Sequence, residues 1–163
     1  FFIDEYIDII RGTPVLLQLM IFAFVILATL SDNFYAAVIA LGLNSSAYVA
    51  EIVRSGINSV DRGQMEAARA MGLSYSVSMR LIIFPQAIKN ILPALANEFI
   101  SLFKETSVVG LIGIFDLTMQ SKSLQATLFT PEPILFAGVV YYANVKLFSV
   151  MAKLLENRLN RHD

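Results

Sequence analysis

Five side chains stand out from an otherwise apolar stretch, "ILPALANEFISLFKETSVVGLIGI" over residues 91–114: Asn97, Glu98, Ser101, Lys104 and Glu105. A charge near the centre of a bilayer costs roughly 2.5–3.5 kcal/mol even on insertion scales, so such groups face a partner or a cavity. Two kinds of chemistry are open to them. Lining a cavity, they bind a substrate's ammonium or carboxylate; Glu98 suits a cationic side chain or an α-ammonium, and Asn97 both donates and accepts hydrogen bonds. Alternatively, Glu98, Lys104 and Glu105 pair among themselves or cap an interface between chains. Lys104 and Glu105 are adjacent and point about 100° apart on a helix, which speaks against a simple salt bridge along one face. Asn97 and Ser101 share a face, as do Glu98 with Ser101 or Leu102 and Lys104 with Val108. Glu51 and Arg54, three residues apart, read more simply as a structural pair.

The rest of the chain makes lipid the expected solvent. Its 163 residues are 56% hydrophobic and 15% charged, with a mean hydropathy of +0.66; a soluble domain carries about 25% charged residues. With no cysteine, disulfides and thiolate metal sites are excluded. The single histidine, His162, lies in a polar tail, so no metal site is expected and no His-based catalytic pair exists. A net charge of −1 offers no broad basic surface for nucleic acid. No phosphate-binding loop of the G-x-x-x-x-G-K-[ST] type occurs, so this chain holds no cofactor of its own. The opening "FFIDEYIDIIRGTP" is no signal peptide, having neither a basic n-region nor a cleavage site, and without a leading methionine the chain is expected to begin inside a longer protein.

A membrane helix needs about 20 mostly apolar residues. "TPVLLQLMIFAFVILATL" (13–30) meets this, with Pro14 suited to a first turn. Residues 34–57 form a second span; Asn44, Ser45, Ser46 and Glu51 suit a helix packed closely inside a bundle. Residues 91–114 and 134–155 supply two more, with Pro131 and Pro133 as breakers between them. The expected fold is therefore all-α, one polytopic membrane bundle over 1–163 with four spans. Tyr141 and Tyr142 face helix neighbours or lipid in this reading, and the tail "KLLENRLNRHD" anchors one membrane face.

Cytoplasmic flanks are enriched in Lys and Arg. With both ends inside, the inner flanks hold Arg11, Arg54, Arg62, Arg69, Arg80, Lys89, Lys153, Arg158 and Arg161, and the outer loops only Lys122. The polar stretch 58–84 then lies in the cytoplasm. "GQMEAARAM" favours a helix, Gly72 can end it in the left-handed conformation, and Ser74 offers an N-cap for the next. The product is a short helical hairpin whose two alanines, Ala67 and Ala68, give a smooth knob that can enter a partner's groove.

Glu66, Ala67 and Ala68, then Gly72, then after nine residues Ile82 and Pro85, resemble the cytoplasmic signature of bacterial ABC importer permeases, Phe84 standing where that family usually has Leu. The resemblance covers almost the whole chain. "YIDIIRGTPVLLQL" and "PQAIKNILPALANEFISLFKETSVVGLIGIFDL" look like segments of the polar amino-acid subfamily. It implies a permease dimer, a separate ATP-binding cassette subunit that binds ATP-Mg and docks on the 58–84 hairpin, and an extracytoplasmic binding protein, in a bacterial inner membrane. It also implies a span before residue 1, giving a five-span core. A stand-alone secondary transporter or channel using Glu98 and Lys104 is the alternative, though such carriers usually show repeats and none is found here. An intramembrane enzyme ranks last, since the usual catalytic constellations are missing.

Overall fold

A computed structural model describes residues 2–159; Arg161 and His162 of the tail lie outside them. Among the described residues all regular structure is helical. The chain forms α1 (Phe2–Arg11), α2 (Val15–Ile21, running on as a π-helical turn to Ile26), α3 (Asn33–Asn58), α4 (Arg62–Ala70) and α5 (Tyr75–Ser78). A second π-helical turn, Met79–Ile83, leads from α5 into α6 (Phe84–Glu105), followed by a 3-10 segment (Thr106–Ile112), α7 (Leu117–Leu128) and α8 (Glu132–Leu159).

The helices α3 and α8 are each long and apolar enough to cross a membrane; at 1.5 Å per residue they measure about 39 and 42 Å. Each neighbouring span of the expected four takes another form. The first is shortened to Val15–Ile26; before it the axis turns by 105° between α1 and α2, and α1 contacts α3 through Tyr6 and Asp4. Pro14 sets the break, with the extended backbone of a helix entry (φ −64°, ψ 135°). The span expected over 91–114 starts earlier and ends earlier as α-helix. Its residues 106–112, Thr-Ser-Val-Val-Gly-Leu-Ile, are poor helix formers apart from Leu111, tighten into a 3-10 turn, and stop at Gly113 with φ 88°.

Small residues hold the layers together. Ala36, Ala37, Ala40, Asn44, Ala47 and Gly56 form the buried face of α3, letting backbones approach as membrane helices require. At Gly56 the approach leaves no room for a side chain, since a Cβ there would stand 2.2 Å from Ile91 Cγ1 on α6. The 3-10 segment is core as well: Val109 and Ile112 join Leu19 and Ala23 of the α2 course and the alanines of α3. Asn33 Nδ2 donates to the Ile112 carbonyl at 2.6 Å, fastening that segment to the start of α3. Aromatic contacts bind α6 to α8, with ring centroids of Phe99 and Phe103 at 5.3 and 5.2 Å from Phe148.

Candidate functional site

The hairpin between α3 and α6 is built by its caps. Asp61 opens α4 by accepting from the Gly63 N–H at 2.6 Å. At the other end the Gly72 N–H reaches the Arg69 carbonyl at 3.0 Å, and the Leu73 N–H reaches that of Ala68 at 3.2 Å. With Gly72 at φ 86°, this is a Schellman closure, which satisfies carbonyls that a helix end leaves free. Ser74 then caps α5, accepting from the Val77 N–H, as the sequence led one to expect.

Only one alanine of the expected knob faces outward. Ala67 is exposed, but Ala68 is buried at 1% exposure, turned into the hairpin, where Ser78 and Ile83 are buried too. Ile82 is only half-buried, so its neighbour does the packing. The outer surface is formed instead by Glu66, Ala67 and Met71, the last 73% exposed. Beside it, Tyr75, Met79, Arg80 and Phe84 line an open groove of about 470 Å³.

Pro85 does not end the second helix. The backbone stays helical from Tyr75 through Glu105, because the turn before it widens: the Phe84 N–H bonds to Met79 five residues back, at the end of the π-helical turn. Such a bulge accommodates a residue without an N–H inside a helix. Pro93 sits inside α6 as well. The hairpin and the polar residues of α6 therefore share one continuous helix.

Along α6 those residues fan out. Glu98 faces α3, where Ser45 Oγ donates to its carboxylate at 2.9 Å. Ser101 and Glu105 fall on the same helical stripe as Glu98 by their spacing. Asn97 turns to α8 and lines a small cavity with Ser149, Lys153 and Glu156. Lys104 stands in the last turn of α6, not the middle of its span, and lines a further cavity against α7 and α8. The five do not converge on one pocket: Glu98, Ser101 and Glu105 form one set, and Asn97 and Lys104 each belong elsewhere. The Glu51–Arg54 pair is present and extended, as Arg54 also meets Asp4 at 3.1 Å and Arg11 approaches Glu51 at 3.6 Å.

Some of these partners were not readable in advance. Ser45 is 53 residues from Glu98, and nothing local marks it. The same holds for the amide pair Gln18 and Asn44, joined at 3.0 Å between α2 and α3. Gln18 also donates to the Ile10 carbonyl at 2.7 Å, so one buried side chain caps α1, starts α2 and grips α3.

Known proteins of the same build fall in one group. The sequence profile of the family described as "Binding-protein-dependent transport system inner membrane component" matches residues 1–161. The arginine transport system permease protein ArtQ of Bacillus subtilis (strain 168) is 44% identical over 164 residues, covering 98% of this chain and 75% of the relative. A putative glutamine transport system permease protein GlnP of Rickettsia typhi is 41% identical over 162 residues, 97% of this chain and 74% of its own. In a solved structure of an amino acid ABC transporter, a chain 46% identical superimposes with a TM-score of 0.88, over 95% of this chain and 74% of that one. The MetNI methionine ABC transporter, in inward-facing conformations, shares the fold at a TM-score of 0.80 and 20% identity, over 96% of this chain and 73% of that one.

Proposed function

The chain belongs to the family of binding-protein-dependent transport system inner membrane components, and from that membership we propose that it is the permease subunit of an ATP-driven importer for polar amino acids. Relatives named for arginine and glutamine transport support the solute class. The chain itself is not an enzyme; a separate ATP-binding cassette subunit hydrolyses ATP-Mg, and an extracytoplasmic binding protein delivers the solute. A second permease chain completes the pathway.

The observation that carries the reading is the continuous helix from the hairpin to the polar stripe. Glu66, Ala67, Met71 and the Tyr75–Phe84 groove present an unpartnered, partly apolar surface at one end, as a docking element requires. Gly72 fixes the hairpin's shape, Ala68 and Ile82–Pro85 its attachment. Closure of two ATPase subunits moves the hairpins, and α6 carries the movement to Glu98, Ser101 and Glu105, whose carboxylates take the solute's cationic groups. The cavity then alternates between its two faces, a switch between states of similar free energy.

Basic residues support the orientation. Arg54, Arg62, Arg69 and Arg80 gather at the hairpin end and Lys153 and Arg158 at the end of α8, whereas Lys122 lies on α7 at the opposite end. We place the hairpin and both chain ends in the bacterial cytoplasm, in accord with the positive-inside rule. The secondary-carrier reading loses ground, since Glu98 and Lys104 point to different neighbours and form no relay.

The test is co-purification with the adjacently encoded ATPase, followed by uptake of arginine and glutamine into vesicles. Wild type is expected to retain the ATPase and to require ATP for uptake, and Glu66→Lys and Gly72→Pro to lose the ATPase or uncouple it. Uptake without any ATPase bound would overturn the proposal.

A further inference from the structure

Between Glu132 and Lys153, α8 carries a single charge, Lys146. It stands about 21 Å from the level of Glu132 and about 10 Å from that of Lys153, at 1.5 Å per residue. Both distances exceed the reach of a lysine side chain. In a helix that side chain leans toward the amino end, here away from the nearer boundary, so it is not placed to snorkel. Nothing within the chain neutralises it. Phe148, two positions on, packs against Phe99 and Phe103 of α6, and Lys146 is turned about 160° away from that contact. Among the described residues it has no hydrogen bond or ion pair. It is exposed, on a stripe with Val139, Tyr142 and Val150 that is exposed too. A cation so deep in a span requires a counter-charge or water, and this one faces whatever covers α8.

Depth points to the counter-charge. Phe99 meets Phe148, and Phe103 meets both Phe148 and Tyr141, so α6 and α8 run antiparallel and Lys146 stands level with the turn 99–103. Glu98 and Glu105 flank that turn, and neither forms an ion pair among the described residues. Glu98 is engaged by Ser45, and Asp116, further along, by the Thr118 and Met119 amides. Glu105 is half-buried, and the lean of Lys146 toward Glu132 carries its ammonium toward the level of Glu105. Within one chain the two are kept apart. Glu105 shares the stripe of Glu98 on the α3 side of α6, while Lys146 is on the far side of α8. Two copies inserted the same way are related by a two-fold axis along the membrane normal, which leaves every residue at its own depth.

We propose that the outer face of α8 around Lys146 seats a second copy of this chain, with Lys146 of each copy paired to Glu105 of the other. The proposal rests on the importer reading for the presence of a second permease chain, and names its chemistry and its seat. An isologous contact forms the pair twice, and each chain carries both members, so an identical copy satisfies both charges. The acidic stripe of one copy is then balanced by a cation that only the other supplies.

The experiment uses the full-length protein with its ATPase in membranes, two copies being co-expressed with different tags. These 163 residues contain no cysteine, so Lys146→Cys in one copy and Glu105→Cys in the other place a single thiol on each. A short bismaleimide is expected to join the two tags, and to join far fewer when Lys122→Cys replaces Glu105→Cys. Charge reversal supplies an independent readout. Lys146→Glu is expected to lower recovery of the second copy about tenfold, equivalent to 1.4 kcal/mol, and Lys146→Glu with Glu105→Lys to restore it. Against lipid, Lys146→Leu would leave association unchanged or improve it. That result overturns the proposal, as does a cross-link no stronger than the Lys122 control or a reversal that Glu105→Lys does not rescue. Uptake by wild type without ATP is a separate result, which sinks the importer reading and leaves the cross-link to decide this one.

Discussion

Asn44 donates its side-chain amide to the Gln18 carbonyl oxygen at 3.0 Å, with Gln18 7% and Asn44 3% exposed. The bond joins the middle of α3 to the first turn of α2. Because Gln18 also donates to Ile10 and Thr13, this one amide braces the turn between α1 and α2 that Pro14 opens.

Removing one member strands the other. Asn44→Leu is expected to lower stability by about 1–2 kcal/mol, the range for a polar group left unsatisfied, moderated inside a membrane bundle. Gln18→Leu should cost more, since two backbone and hydroxyl partners lose their donor with it. Thermal unfolding in detergent checks both, and a double variant no worse than Gln18→Leu alone would establish the coupling.

Gly56 packs α3 directly against Ile91 of α6. Gly56→Val should destabilise by about 1–3 kcal/mol through overpacking against Ile91. Gly56→Val with Ile91→Ala is expected to recover part of that loss. An unchanged melting temperature for the single variant would remove the crossing from the account of the fold.

At Gly72 the obstacle is conformational, because a Cβ there would touch nothing within 4 Å while φ is 86°. Gly72→Ala should cost about 1–2 kcal/mol and Gly72→Asn less. The readout is stimulation of the partner ATPase by solute-loaded binding protein, graded Gly, Asn, Ala, Pro. Equal stimulation in all four would show that the hairpin's closure is irrelevant to coupling.

Glu98→Gln keeps an oxygen for the Ser45 hydroxyl but discards the charge. Folding and ATPase binding should persist, while uptake of a solute with a cationic side chain falls by about tenfold or more, the scale of one charge-assisted hydrogen bond. Ser45→Ala is expected to act in the opposite sense, loosening α3 from α6 and lowering thermal stability. If uptake survives Glu98→Gln unchanged, Glu98 is a structural group.

Local signals in the sequence match the structure where the structure is local. Gly72 and Ser74 cap the hairpin because backbone geometry admits few residues at those places, and the all-α bundle follows from apolar runs of sufficient length. Ala67 and Ala68 look alike in sequence and differ wholly in burial, because the hairpin's own fold decides which one points inward. The apolar run 13–30 stays helical only over Val15–Ile26, and the partners that Gln18 finds at the bend before it are recorded in no linear pattern. Lys104, Glu98 and Asn97 sit within eight positions and reach three different surroundings, which only the packing of α3, α7 and α8 assigns.

The attachment of α1 has a consequence of its own. Ile7 is its one buried side chain; its other ties include the Gln18 amide on the Ile10 carbonyl, the Tyr6 hydroxyl on Leu43 and Ser46, Arg11 over the Tyr48 ring and the charges Asp4 and Arg11 on Arg54 and Glu51. Solvent-exposed charge pairs weaken as ions screen them, over a Debye length near 10 Å at about 0.1 M salt. The α3–α6 crossing, packed through Gly56 and Ile91 and joined by the part-buried Ser45–Glu98 hydrogen bond rather than by exposed ion pairs, is less sensitive to salt. Ionic strength thus acts selectively on this molecule: it loosens the first ten or so residues from the bundle while leaving the path between hairpin and stripe intact.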